Sequence, residues 1–153
     1  MKRLIVCCDG TWNRADHVDE GKPAPTNVRR LYLAIDQETA PQRARYIEGV
    51  GTKRWEHIRG GALGFGLSRN VRDGYTFLVD NYEPGDELWF FGFSRGAFTA
   101  RSLAGLVRNS GILQRQKRGM VKEAYKLYRS RKADDAPSER NARRFRRSSR
   151  ASP

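Results

Sequence analysis

Apolar and polar positions along the chain alternate between two kinds of pattern. Arg3 to Asp9 reads Arg-Leu-Ile-Val-Cys-Cys-Asp, a short apolar run of the kind buried on both faces of a parallel sheet. It stops at Asp9-Gly10-Thr11-Trp12-Asn13, and a polar loop with Pro23 and Pro25 follows as far as Thr26. Thr26 suits a helix N-cap, with Val28, Leu31 and Ile35 at helical spacing behind it and Pro41 beyond as a stop. A second strand is predicted over Ala44 to Val50, bounded by Gly49 and Gly51. From Ser68 the period is helical again, with Val71, Tyr75, Leu78 and Tyr82 on one face. Glu83-Pro84-Gly85-Asp86 is a strong turn that leads into a third strand, Glu87 to Phe93. After Ser94 the apolar positions Ala97, Phe98, Leu103, Ala104, Leu106 and Val107 predict a buried helix closed near Gly111. Met120, Val121, Ala124, Leu127 and Tyr128 form the stripe of one more helix.

Strand, helix, strand, helix, strand, helix is the order of an α/β fold with a parallel sheet. Residues 1–132 read as its single domain. Residues 133–153 are dominated by Asp, Ser, Pro and Arg, with Phe145 the only aromatic, and are predicted to be a disordered tail that cannot offset its ordering entropy. Charge sharpens this division. Residues 1–114 carry 16 Lys/Arg against 13 Asp/Glu, and residues 115–153 carry 14 against 4, so most of the net charge of +13 lies in the C-terminal part, from Arg115 onward. Cys7 and Cys8 are strand neighbours that point to opposite faces, which disfavours a disulfide between them and fits core thiols in a reducing compartment. The run Leu4 to Cys8 is too short for a signal peptide, and no stretch approaches a membrane span. The expectation is a cytoplasmic protein, unless a signal-independent secretion route exports it.

The candidate chemistry sits at Leu88-Trp89-Phe90-Phe91-Gly92-Phe93-Ser94-Arg95-Gly96-Ala97, where a buried strand runs through Gly-x-Ser-x-Gly into a helix. Such a turn lifts the serine hydroxyl clear of the sheet and forces a strained backbone at its apex, usually with positive φ. Gly92 and Gly96 stand where only a small residue fits. The Arg95 N–H, at the first turn of the helix, faces a developing oxyanion. Asp9 lies near the site, and Gly10 or Thr11 can place a second backbone N–H there. A serine nucleophile also needs a histidine and a carboxylate, in the chain order serine, acid, histidine. The two histidines, His17 and His57, both precede Ser94, and neither is a good candidate. Asp9-Gly10-Thr11 also resembles the Asp-x-Asp-Gly-Thr motif of the haloacid-dehalogenase-like phosphatases, but Cys7 occupies the nucleophile position and no acidic Mg²⁺ site follows. The glycines at 49–51 and 60–66 lack phosphate-loop spacing and read as close-packing or turn positions. No cofactor or metal is expected.

Several ordered motifs carry a family resemblance. They are Cys7 to Asn13, Pro25-Thr26-Asn27-Val28, Gly49-Val50-Gly51-Thr52, Gly60 to Leu67, Asn70-Val71-Arg72-Asp73 and Gly92 to Gly105. Over Met1 to about Tyr128 the chain resembles the α/β-hydrolase family related to the type VI secretion system phospholipase effectors. The resemblance implies an α/β-hydrolase fold, incomplete here. It implies sheet order 2-1-3, with the first strand central and Leu88 to Phe91 left as an unpaired edge. It further implies a Ser-Asp-His triad, Ser94 as nucleophile and an ester or phospholipid substrate. The family's Asp and His lie beyond the last residue of this sequence, so this stretch is expected to be inactive alone, as a truncated enzyme would be. A different reading is a basic binding module. Its tail arginines (Arg140, Arg143, Arg144, Arg146, Arg147, Arg150) would grip nucleic acid or an anionic membrane, although nothing marks a specific nucleic-acid fold.

Overall fold

The computed structural model describes every residue except 12, 14, 15, 17, 20, 21, 51–61 and 150–153, and the backbone alone at 19 and 62–65. Strand β1 (Arg3–Cys8) is followed by two short antiparallel strands, β2 (Val18–Asp19) and β3 (Lys22–Pro23). Helix α1 (Asn27–Ala34), strand β4 (Gln42–Ile47), helix α2 (Ala62–Asn81), strand β5 (Glu87–Gly92) and helix α3 (Arg95–Ser110) come next. A 3₁₀ segment (Arg115–Met120) leads into α4 (Val121–Arg129), and a 3₁₀ turn (Ala133–Asp135) precedes α5 (Arg140–Ser149).

The three longer strands form one parallel sheet in the order β4-β1-β5, the predicted 2-1-3 arrangement. Its register puts Cys8 level with Ile47 on one side and Gly92 on the other. β1 is central, and its residues Leu4 to Cys8 are all buried because helices cover both of its faces. Leu4, Val6 and Cys8 face the larger core with Val71, Tyr75, Leu78, Leu103 and Leu106 of α2 and α3. Ile5 and Cys7 face the smaller one with Val28 of α1. The two cysteines thus sit on opposite faces as free thiols.

Thr26 caps α1 as predicted, its hydroxyl accepting from the Arg29 N–H at 3.0 Å. The buried face of α1 differs from the prediction. Leu31 is exposed, and Tyr32 packs with Val28 and Ile35 instead, since the Tyr32 ring meets that of Tyr46 on β4 at 5.6 Å. Helix α2 begins six residues before Ser68, so Gly64 and Gly66 lie in a helix and not in a turn. Gly66 there is a close-packing position, where a Cβ would come to 3.0 Å from the Val50 side chain.

The larger correction is at the C-terminus, where residues 140–149 form a helix docked on the domain in place of a disordered tail. Ala142 and Ser149 are buried, and Phe145 packs on the main core. The Arg146 guanidinium donates to the carbonyls of Asn109 (2.5 Å) and Pro137 (2.7 Å). Positions 142, 145, 146 and 149 are spaced i, i+3, i+4, i+7, so a segment that is poor in apolar residues still presents one continuous inner face.

Candidate functional site

β5 ends at Gly92 and α3 begins at Arg95, so only Phe93 and Ser94 make the turn between them. Ser94 has φ 52° and ψ −123°, and no other non-glycine residue among those described has a positive φ. An L-residue is held in that region only when its surroundings over-determine it. Here the surroundings are backbone. A Cβ on Gly92 would stand 2.5 Å from the Gly96 carbonyl oxygen, and one on Gly96 would stand 2.1 Å from that of Cys8. The two glycines let the start of α3 lie directly against the end of β1. Ser94 is exposed, and its side chain makes no capping bond to α3, while its carbonyl accepts from Ala97 N–H at 3.0 Å. Arg95 N–H is the first amide of α3 and has no acceptor within its own helix.

The loop after β1 reaches the same place. Gly10 lies against the residue before the serine, where a Cβ would meet the Phe93 ring at 3.1 Å. Asp9, 3% exposed, organises this loop. Its Oδ1 accepts from Gly10 N–H (2.7 Å) and from the Asn13 side-chain amide (3.1 Å). Its Oδ2 accepts from the Tyr46 hydroxyl (2.7 Å) and from Thr26. One carboxylate therefore ties together the β1 loop, the cap of α1 and the end of β4. Burial, and then the bond to Asp9, pushes the Tyr46 hydroxyl well above the usual tyrosine range. Thr26 both caps α1 and reaches Asp9. Tyr46, Asn13 and the Asp9 link of Thr26 were not legible from spacing, because the four groups meet only after the sheet forms.

The peptide between Gly10 and Thr11 has a fixed orientation. Gly10 carbonyl oxygen accepts from Asn13 N–H at 3.1 Å and lies on Gly49, where a Cβ would come within 1.6 Å of it. The carbonyl thus faces the Gly49 segment, which follows β4, and across a trans peptide the N–H points the opposite way. The Gly10 N–H is already bonded to Asp9. His17 and His57 lie outside the described residues. Among the described residues no group of three or more His, Cys, Asp or Glu is placed to hold a metal ion, and no helix is long and apolar enough to cross a membrane.

A parallel sheet with flanking helices, and a strained serine between its edge strand and a helix, make an incomplete α/β-hydrolase type of fold. The comparisons agree with that class. Over residues 2–152 the chain matches the family described as T6SS phospholipase effector Tle1-like, catalytic domain, and it belongs to that family. The match runs to residue 152, well past the Tyr128 limit read from motifs. An uncharacterized protein of Saccharomyces cerevisiae, YEL023C, is 30% identical over 154 residues, covering 90% of this chain and 22% of the yeast protein. The chain thus spans about a fifth of the length of that relative. No solved structure matches it.

Proposed function

We propose that this chain carries the nucleophile and the oxyanion-binding groups of a serine esterase acting on a phospholipid ester. The observation that supports this most is the positive φ of Ser94 at a two-residue strand-to-helix turn. Membership of a phospholipase effector family supports a lipid ester as substrate. In this reading Ser94 Oγ attacks the ester carbonyl carbon. The carbonyl oxygen, as it becomes negative, takes hydrogen bonds from Arg95 N–H and Thr11 N–H, with the positive end of α3 behind them. Thr11 is preferred to Gly10 because the Gly10 amide serves Asp9. Asp9 acts as a positioning residue that shapes the loop.

No histidine occurs among residues 95–153, so the expected histidine base is not among the residues that follow Ser94 here. Loss of one triad member typically costs several orders of magnitude in turnover, while the oxyanion site retains a residual advantage over water. The 153-residue chain is therefore expected to hydrolyse p-nitrophenyl butyrate weakly or not at all. It is also expected to react slowly but selectively with a fluorophosphonate, with the adduct mapped to Ser94 by mass spectrometry and missing in Ser94→Ala. Labelling spread over other serines would overturn the proposal. Esterase-like turnover abolished by Ser94→Ala would mean that these residues contain a base, with His17 the first to test.

A further inference from the structure

Helix α5 has two faces with the same spacing and opposite chemistry. Its inner face is Ala142, Phe145, Arg146 and Ser149, described above. Its outer face is Arg140, Arg143, Arg144 and Arg147, also at i, i+3, i+4, i+7, and all four are exposed. That spacing stacks side chains in one row along the axis, about 10 Å from first to last. An open groove of about 850 Å³ runs along the row. The acids beside it are Glu139, on its lining, and Asp134, 3.6 Å from Arg140 across an exposed pair. Arg143, Arg144 and Arg147 have no acidic partner among the described residues. Like charges at i, i+4 repel within a helix, so the row destabilises α5 in water unless an anion lies on it.

We propose that this arginine row is a docking surface for the phosphates of an anionic phospholipid bilayer. Three observations support a membrane. The helix is held rigidly, since Arg146 grips the Asn109 carbonyl and the Gln114 N–H bonds to the Ser149 carbonyl at 2.9 Å, so the row stays straight and faces outward. A straight cationic row fits a flat array of phosphates, and guanidinium groups can bind phosphate in bidentate fashion. No aromatic side chain stands among the exposed residues of α5 to stack on a base, as single-stranded nucleic-acid sites require. The assignment refines the tail reading above, since Arg146 faces inward and Arg150 lies outside the described residues.

The row is a tether and not a substrate pocket. α5 sits at the C-terminal end of α3, whereas Ser94 caps the other end, about 24 Å away along 16 residues. The choice of a lipid partner rests on the phospholipase reading, but the contact itself does not need Ser94. The test is co-sedimentation of the 153-residue chain with vesicles of ether-linked phosphatidylcholine containing or lacking phosphatidylglycerol. Retention is expected only with phosphatidylglycerol and is expected to fall as salt is raised. At about fivefold per arginine, the triple variant R143Q/R144Q/R147Q should lose roughly a hundredfold in vesicle affinity with its circular dichroism unchanged. Ser94→Ala should bind like the parent, so failure of the esterase reading would leave retention intact. K122Q/K126Q, which removes two exposed charges from α4, should lose much less. Equal binding to neutral vesicles, an unaffected triple variant, or an equal loss in K122Q/K126Q would overturn the proposal. So would tighter retention on DNA than on anionic vesicles.

Discussion

Ser94 keeps its hydroxyl exposed at a cost to the backbone that a substitution can measure. A non-glycine residue at its φ and ψ is strained by about 1–3 kcal/mol, and glycine escapes that strain while losing about 0.5–1 kcal/mol through its freer unfolded state. Ser94→Gly is thus expected to be about 1 kcal/mol more stable than Ser94→Ala in urea unfolding, and the reverse order would show an unstrained turn. Gly96→Ala should destabilise by about 1–3 kcal/mol or more, because its Cβ would meet the Cys8 carbonyl oxygen at 2.1 Å and backbone cannot step aside. Asp9 is a different kind of residue, since its four donors come from three segments. Tyr46→Phe removes one donor and should cost about 2 kcal/mol, while Asp9→Ala strands all four and should cost more. The thiols give a pH dependence. Burial, with a smaller effect from Asp9, raises Cys7 to about 11, and burial, then Cys7 and Asp9, raises Cys8 to about 12. The unfolded chain releases these protons at ordinary thiol values near 8.5, so above that pH it binds fewer protons than the folded one. The thiols' contribution to stability should be constant below about pH 8 and fall as pH rises toward 11 and 12. Rapid alkylation of the native protein by iodoacetamide at pH 8 would contradict the raised values.

At the scale of elements, α5 sets the expectation most open to test. Amides of residues 144–149 should exchange slowly with solvent, because their helix is held by Ala142, Phe145 and Arg146. Ala142→Glu puts a charge where the exposure is 0% and should bring those amides to the exchange rate of a free tail. Why α5 was illegible while β5 was plain is a matter of what each buries. β5 carries Leu88, Trp89, Phe90 and Phe91 in sequence, and composition alone marks such a run. α5 buries one alanine, one serine and parts of one phenylalanine and one arginine, and its fixing bonds go to the carbonyls of Asn109 and Pro137. Nothing in a hydropathy pattern announces an arginine that caps the end of a distant helix. The same holds at the site. Gly92, Ser94 and Gly96 stand within five residues and could be read together. The tie from Asp9 to Tyr46 spans 37 residues and depends on β1 pairing with β4. Leu31 and Tyr32 show a smaller version of the limit, since both satisfy a helical period and only the Tyr46 ring decides between them.

For the whole molecule the exposed edge of the sheet matters most. Among the described residues β5 pairs with β1 alone, and α4 packs against α2 and α3 instead of covering the outer edge. The N–H groups of Glu87 and Phe93 bond inward to Lys2 and Cys8, which leaves those of Leu88, Phe90 and Gly92 directed outward by the alternation of a strand. One face of the edge is open as well. α1 covers β1 and β4, so Trp89 stays 47% exposed, stacked on Phe91 with ring centroids 6.5 Å apart, and Phe93 is 62% exposed beyond them. Past Glu87 the strand has no charge or proline to discourage pairing. The edge of a second copy can satisfy those outward amides and bury the two aromatic stacks against each other. We expect the isolated chain to dimerise or aggregate as concentration rises. Light scattering coupled to gel filtration should show mass climbing above 17.5 kDa. Trp89→Lys adds a charge on the open face without touching the β1 ladder, and should return the chain to a monomer. A parent that stays monomeric at high concentration, or a lysine variant that associates just as strongly, would place the cause elsewhere.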